Sequence, residues 1–310
     1  MGPAFLTVLL WSYCVIAAKR SVDQLGENLA NLVRLMVAVV ALGSLAHLLG
    51  PGLGGGGLFF FFLSGAIGFG FGDIGVFYAL PRLGSRLTLL MAQCLAAPVA
   101  GVAEWWWLGT ALSGMQIAAV TIILVGIIIA LAPKSIPAGT MKAFLAGIAF
   151  GVVAALGQGM GAVLSRKAYA EAALAGNWAG DQGVGESILM GATTGYQRLL
   201  GGLVIVAVFY LFSITYRPWK TYPRDPYKED RLPAKAKYVL LNAASGPILG
   251  IICFQWALAT TPSAIVQPIV AMTPLAVMPM SYFLEGDRPS ARGILGALVS
   301  VLGVILLAMA

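Results

Sequence analysis

Apolar residues fall in long runs along the chain, with short polar clusters between them. The runs predict helices over about Pro3 to Ala18, Leu29 to Leu49, Leu58 to Leu80, Leu87 to Leu108 and Gln116 to Ala132. A second set follows over about Lys142 to Leu164, Gly191 to Thr215, Tyr238 to Ala259, Ala264 to Leu284 and Gly293 to Ala310. Most approach the roughly 20 apolar residues that hydrocarbon requires of a spanning helix. Gly50 to Gly57, with Pro51 and a glycine run from Gly54, cannot stay helical and reads as a turn. Pro133 to Thr140 separates the two sets, and Tyr169 to Ser187 is a polar connection. Arg217 to Lys237 carries proline every few residues with mixed charge, as an exposed loop or a short amphipathic surface segment would.

The two sets repeat one another. Tyr78, Ala79 and Leu80 return as Trp256, Ala257 and Leu258, each followed by a hinge: Leu83, Gly84, Ser85 in one copy and Thr261, Pro262, Ser263 in the other. Leu108, Gly109, Thr110 aligns with Glu285, Gly286, Asp287, and Val125, Gly126, Ile127 with Leu302, Gly303, Val304. Five is odd, so the halves enter the membrane from opposite sides. The expected fold is an all-α membrane protein of ten transmembrane helices, built as two inverted five-helix repeats around a central cavity. The expected halves are residues 1–132 and 141–310.

Composition places these helices in a bilayer. Hydrophobic residues make up 59% of the chain and charged residues 10%, against roughly 25% charged in soluble domains. Mean hydropathy is +0.90. Lys19 and Arg20 follow the first apolar run instead of preceding it, which argues for a retained helix over a cleaved signal. Cys14, Cys94 and Cys253 lie in separate apolar runs and read as small core residues, with no metal spacing. The net charge of +7 resides mainly in short loops, where membrane topology explains it better than nucleic-acid binding. Gly70, Gly72 and Gly75 spell a dinucleotide-binding pattern, but that site needs a strand before it, and here the glycines fall inside an apolar helix. Gly68 with Gly72, Gly147 with Gly151, Gly157 with Gly161 and Gly246 with Gly250 fit close helix packing instead. No cofactor is expected, and no cluster of nucleophile, base or metal ligands suggests an enzyme.

The ordered motifs, from the Phe77 to Leu80 hinge and its Trp256 partner to Thr273, Pro274 and the Glu285 to Ser290 turn, resemble the EamA-type branch of the drug/metabolite transporter superfamily. Ala155 to Gln158, and Arg34 and Arg198 near the starts of equivalent helices, carry the resemblance further. It implies a plasma (inner) membrane carrier for a small metabolite, with export as one direction and a cavity between the halves. Where the family shows a Gly-Glu pair, this chain has Gly109, Thr110 and Gly286, Asp287. A channel, or a packing subunit of a larger membrane complex, is the alternative. Pro98, Pro247, Pro268, Pro274 and Pro279 free backbone carbonyls inside spans, which favours a cavity.

Intramembrane polar groups are the site candidates. Asp73 falls near mid-bilayer, where a carboxylate needs a partner or water. It is a candidate for substrate binding or proton coupling, with a structural ion pair as the other reading, and Arg34 is its expected partner. Arg34 and Arg198 either snorkel to the interface or bind an anionic substrate. Gln93, Gln158, Gln255, Gln267 and Asn242 line a cavity or pair across helices. Tyr78 and Trp256, equivalent by the repeat, are candidate gates or core aromatics. The partners expected are thus a small-molecule substrate and the lipid bilayer.

Loop charge gives an orientation. Fifteen Lys and Arg residues fall in odd-numbered connections and only Arg166 and Lys167 in an even one. Cytoplasmic loops collect Lys and Arg, so both termini are expected outside, whereas the resemblance implies termini inside. A cysteine placed between Arg217 and Lys237 in a cysteine-free variant is expected to resist an impermeant thiol reagent in intact cells and to react after permeabilisation. Labelling of intact cells would reverse the orientation.

Overall fold

The computed structural model describes residues 1–131, 140–178, 183–216, 232–285 and 290–310. These form α1 (Gly2–Leu25), α2 (Glu27–Leu49), α3 (Leu58–Gly65), α4 (Asp73–Leu89), α5 (Ala96–Leu108), α6 (Gly114–Leu131), α7 (Met141–Leu174) and α8 (Val184–Tyr216). The rest are α9 (Leu232–Ala243), α10 (Leu249–Thr260), α11 (Ser263–Val270), α12 (Thr273–Glu285) and α13 (Ala291–Met309). Wider π-helical turns join α3 to α4 (Ala66–Gly72), α4 towards α5 (Leu90–Cys94) and α9 to α10 (Ala244–Ile248).

Among the described residues eight helical runs are long and apolar enough to span a bilayer, and the runs Gly114–Ala130 and Ser263–Pro279 are shorter. Ten spans were expected; the fifth is as short as its apolar run, and the ninth is divided. The ninth breaks at Ala271 and Met272, because Pro274 has no N–H to offer the carbonyl of Val270 and its ring crowds that carbonyl.

Helix ends also differ from expectation. α1 continues past Ala18 to Leu25, and α7 continues through Arg166 and Lys167 to Leu174. Tyr169 therefore starts no loop. Its ring packs edge-on to Phe61 at 4.9 Å and its hydroxyl shares a 2.8 Å hydrogen bond with Thr194. Burial of Ala168, Tyr169 and Ala172 on one helical face extends the helix. The turn at Gly50 to Gly57 is present, with left-handed backbone at Gly52, Gly55 and Gly56. The break that begins at Pro133 falls, up to Thr140, outside the described residues, as do most of the Arg217 to Lys237 connection and the stretch Gly286 to Pro289.

The two hinges differ. In the second half the chain leaves helix at Thr261, φ −137° and ψ 137°, because Pro262 pushes its predecessor into extended backbone. In the first half helical hydrogen bonding runs through Leu83, Gly84 and Ser85. The chain still reverses there. Gly161, Gly157 and Gly147 of α7 face Gly68, Gly72 and Leu83 on the way down, and Gly151 and Gly159 face Met91 and Val99 on the way back.

Those contacts show how the halves interlock. α7, the first helix of the second half, packs along the third and fourth spans of the first half, while α1 packs along α9 to α12 of the second. A Cβ on Gly157 would lie 2.5 Å from the Cα of Gly72, and one on Gly161 3.2 Å from that of Gly68. The repeat-equivalent Gly246 and Gly250 meet Cys14 and Trp11 of α1. Equivalent spans also pair antiparallel. Asn28 reaches Ser213 at one end of the α2–α8 pair and Gly50 meets Thr193 at the other. In α6 and α13, Gly126 meets Ser300 while Gly303 meets Ile123. Antiparallel pairing of equivalent helices makes the repeats inverted.

The apparent cofactor glycines belong to this packing: Gly70 abuts Ile205, Gly72 abuts Gly157 and Gly75 abuts Ala154. Gly157→Leu is expected to cost on the order of 1–3 kcal/mol through overpacking, read as a lowered Tm in detergent. Gly114→Ala, with nothing near its Cβ, should leave Tm unchanged.

Candidate functional site

Both halves contribute to a cavity of about 130 Å³ inside the bundle. The first half supplies Arg34 from α2, Asp73 from the first turn of α4 and Gln93 from the π turn after it. The second half supplies Gln158 from α7, Arg198 from α8 and Pro247 from the π turn before α10. Trp11 and Cys14 of α1 also line it. Two of the π-helical turns occupy equivalent places in the two repeats, Ala66–Gly72 and Ala244–Ile248, and each leads into the helix that faces an arginine. Wide turns of this kind concentrate at functional sites.

Arg34 and Asp73 form a buried ion pair through Nη2 and Oδ2, each residue 7% exposed. Arg34 Nε donates to Asn31 Oδ1 at 2.9 Å, and its guanidinium lies 5.3 Å from the centre of the Phe77 ring. Gln158 Nε2 donates to the other Asp73 oxygen at a long 3.4 Å. Gln267 stands behind, donating through Nε2 to the Gln158 carbonyl at 3.0 Å.

Arg198 is 2% exposed and lies in mid-helix, because α8 opens at Val184 and not near Gly191. It does not snorkel. Its guanidinium is held between the Phe69 and Phe254 rings, 5.1 and 5.3 Å from their centres, and Nη1 donates to Gln255 Oε1 at 3.2 Å. Among the described residues no carboxylate bonds to it.

The cavity therefore gathers Asp73, Arg34, Arg198, Gln158 and Gln93, with Gln267 one hydrogen bond behind. Tyr78 and Trp256 are not among its lining residues. Tyr78 packs against Phe150 and Phe209 and accepts a hydrogen bond from Asn28, and Trp256 packs against the apolar core. Asn242 accepts from Cys14 Sγ and donates to Ser21. Trp11, Cys14 and Asn31 were not anticipated beside the cavity, since a single aromatic, thiol or amide inside an apolar helix carries no distinctive spacing.

A second polar cluster lies farther along α7. Arg166 is eight residues beyond Gln158, about 12 Å at a rise of 1.5 Å per residue. It donates to Glu104 at 3.3 Å and to the carbonyls of Leu258 and Ala259 at 2.8 and 3.3 Å. Glu104, fully buried, accepts from Ser263 Oγ at 2.5 Å and from the Ala264 N–H at 3.0 Å. The cation thus holds carbonyls at the end of α10 and the carboxylate holds donors at the start of α11, as helix-end partial charges favour. The hinge between the eighth and ninth spans is clamped from both sides.

A family model described as the EamA-like transporter family matches residues 3–132 and 143–309. The chain belongs to the EamA-like transporter family. It is accordingly a multi-pass membrane protein of the drug/metabolite transporter superfamily. No curated protein matches it. A solved structure described only as "Crystal structure of protein" aligns with 99% of this chain and 95% of its own, at TM-score 0.72 and 15% identity, and shares the fold.

Removing the clamp carboxylate strands Arg166, Ser263 and the α11 N-terminus together. Glu104→Ala should lose about 3 kcal/mol, seen as a lower Tm in detergent. Ser263→Ala, which removes one donor to that carboxylate, should lose about 2 kcal/mol.

Proposed function

We propose that this EamA-family protein is a secondary transporter of the plasma membrane that moves a small metabolite, unchanged, by alternating access. The observation that carries the reading is one cavity, charged and buried, built jointly by two inverted repeats. Residues 1–132 and 141–310 act as the halves. Inverted repeats can rock about a shared site and open it to each side in turn. The Glu104–Arg166 clamp supports one closed end, since it ties the fourth and sixth spans to the hinge of the eighth and ninth.

Asp73 is the coupling residue in this reading. It is the one carboxylate lining the cavity among the described residues, and its partners Arg34 and Gln158 come from different halves. Protonating it releases Arg34 and loosens the contact with Gln158, so proton and conformational state are linked through a single side chain.

Purified protein in vesicles should show counterflow, with internal unlabelled substrate accelerating entry of labelled substrate. Flux without counterflow would indicate a channel, and no flux a packing subunit. Asp73→Asn should flatten the pH dependence of transport. An unchanged pH profile would assign Asp73 a structural role beside Arg34.

A further inference from the structure

The repeat makes the two arginines equivalent, but their surroundings are not. Arg34 corresponds to Arg198, so Asn31, three residues earlier, corresponds to Gly195. Tyr78 corresponds to Trp256, so Asp73, five residues earlier along unbroken helix, corresponds to Ile251. Both polar partners of Arg34 are thus absent beside Arg198. The replacements lie together: a Cβ on Gly195 would lie 3.2 Å from Ile251 Cγ2, and Ile251 and Arg198 both line the cavity. The Arg198 Nε and the Gln255 Nε2 have no hydrogen-bond partner among the described residues. Counting Arg34, Asp73 and Arg198, the charged side chains that line it among the described residues, the cavity is left with one uncompensated positive charge.

A buried arginine without a counter-ion is costly, and a ligand that supplies the counter-ion recovers that cost on binding. We propose that the substrate is a small monocarboxylate whose carboxylate takes the place, beside Arg198, that Asp73 holds beside Arg34. This rests on the reading of the cavity as a substrate site and names the chemistry it selects. A single negative charge balances the site. Trp11, Val15, Val76, Phe77 and Leu89 give the rest of the cavity an apolar wall, suited to a hydrocarbon or aromatic body. A zwitterion fits less well, because both Asp73 oxygens already accept from Arg34 and Gln158, leaving an ammonium to compete with a guanidinium.

The test uses the full chain in detergent and ligands of one shape and different charge. Phenylacetate, phenylacetamide, phenethylamine and phenylalanine form one series, and hexanoate with hexanamide a slimmer one. At least one carboxylate is expected to raise Tm by several degrees while its matched amide, the amine and the amino acid do not. Ile251→Asp supplies the missing acid, so it should abolish that response while leaving ligand-free Tm at least as high as before. Arg198→Gln should also abolish it. The proposal is overturned if neither carboxylate shifts Tm, if the amide, amine or amino acid matches the carboxylate, or if the response survives Ile251→Asp. Counterflow separates the two readings. Transport of the amine or amide without carboxylate binding leaves the carrier standing and removes the carboxylate. Arg198-dependent carboxylate binding without counterflow does the reverse.

Discussion

The glycine crossing between the third and sixth spans holds the rest of the molecule in register. Gly68 and Gly72 let α7 approach to backbone contact through Gly161 and Gly157, and at Gly157 a side chain would run into the backbone of Gly72. Apolar burial does little to hold helices together inside a bilayer, so close backbone packing and hydrogen bonds must do it. Asp73 follows Gly72 and Gln158 follows Gly157, so the same crossing that locks the helices brings a carboxylate and an amide from opposite halves within reach. Structure and site share one point of contact.

Electrostatics then divides the interior into two levels. At one, Glu104 and Arg166 satisfy each other and the ends of two helices, so both charges are compensated. At the other, about 12 Å away along α7, two arginines share one acid. Aromatic faces hold Arg198 in place but do not neutralise it, since cation–π attraction is weaker than an ion pair with a desolvated carboxylate. The complete cluster suits a fixed joint, and the incomplete one suits a site that changes occupancy.

Much of this was legible in the sequence, because the repeat is written in residue types that survive divergence: hinge, proline and turn. The same repeat anticipated inverted halves, and the depth of Asp73 with the position of Arg34 anticipated their pairing. The extent of α7 was not legible, because Arg166, Lys167 and Tyr169 look like loop residues until Phe61, Thr194 and Glu104 are placed beside them. Arg198 looked close to an interface for a similar reason: the polar start of α8 hides helix that continues upstream of Gly191. Tyr78 and Trp256 matched well in sequence, yet equivalence in a repeat fixes a residue's address and not whether it faces a cavity.

The exchange of first helices has a consequence for biosynthesis. α1 leaves the ribosome ahead of α2 to α13, but its long-range polar contacts lie far along the chain: Ser12 donates to the carbonyl of Thr273, and Cys14 to Asn242. Until those residues are made, α1 must wait in the lipid without its main partners, while the four spans after it gather around a groove that only α7 will fill. Assembly therefore cannot proceed half by half. It must close late and at long range, the slow kind of topology, which exposes unfinished helix surfaces to quality control for most of translation.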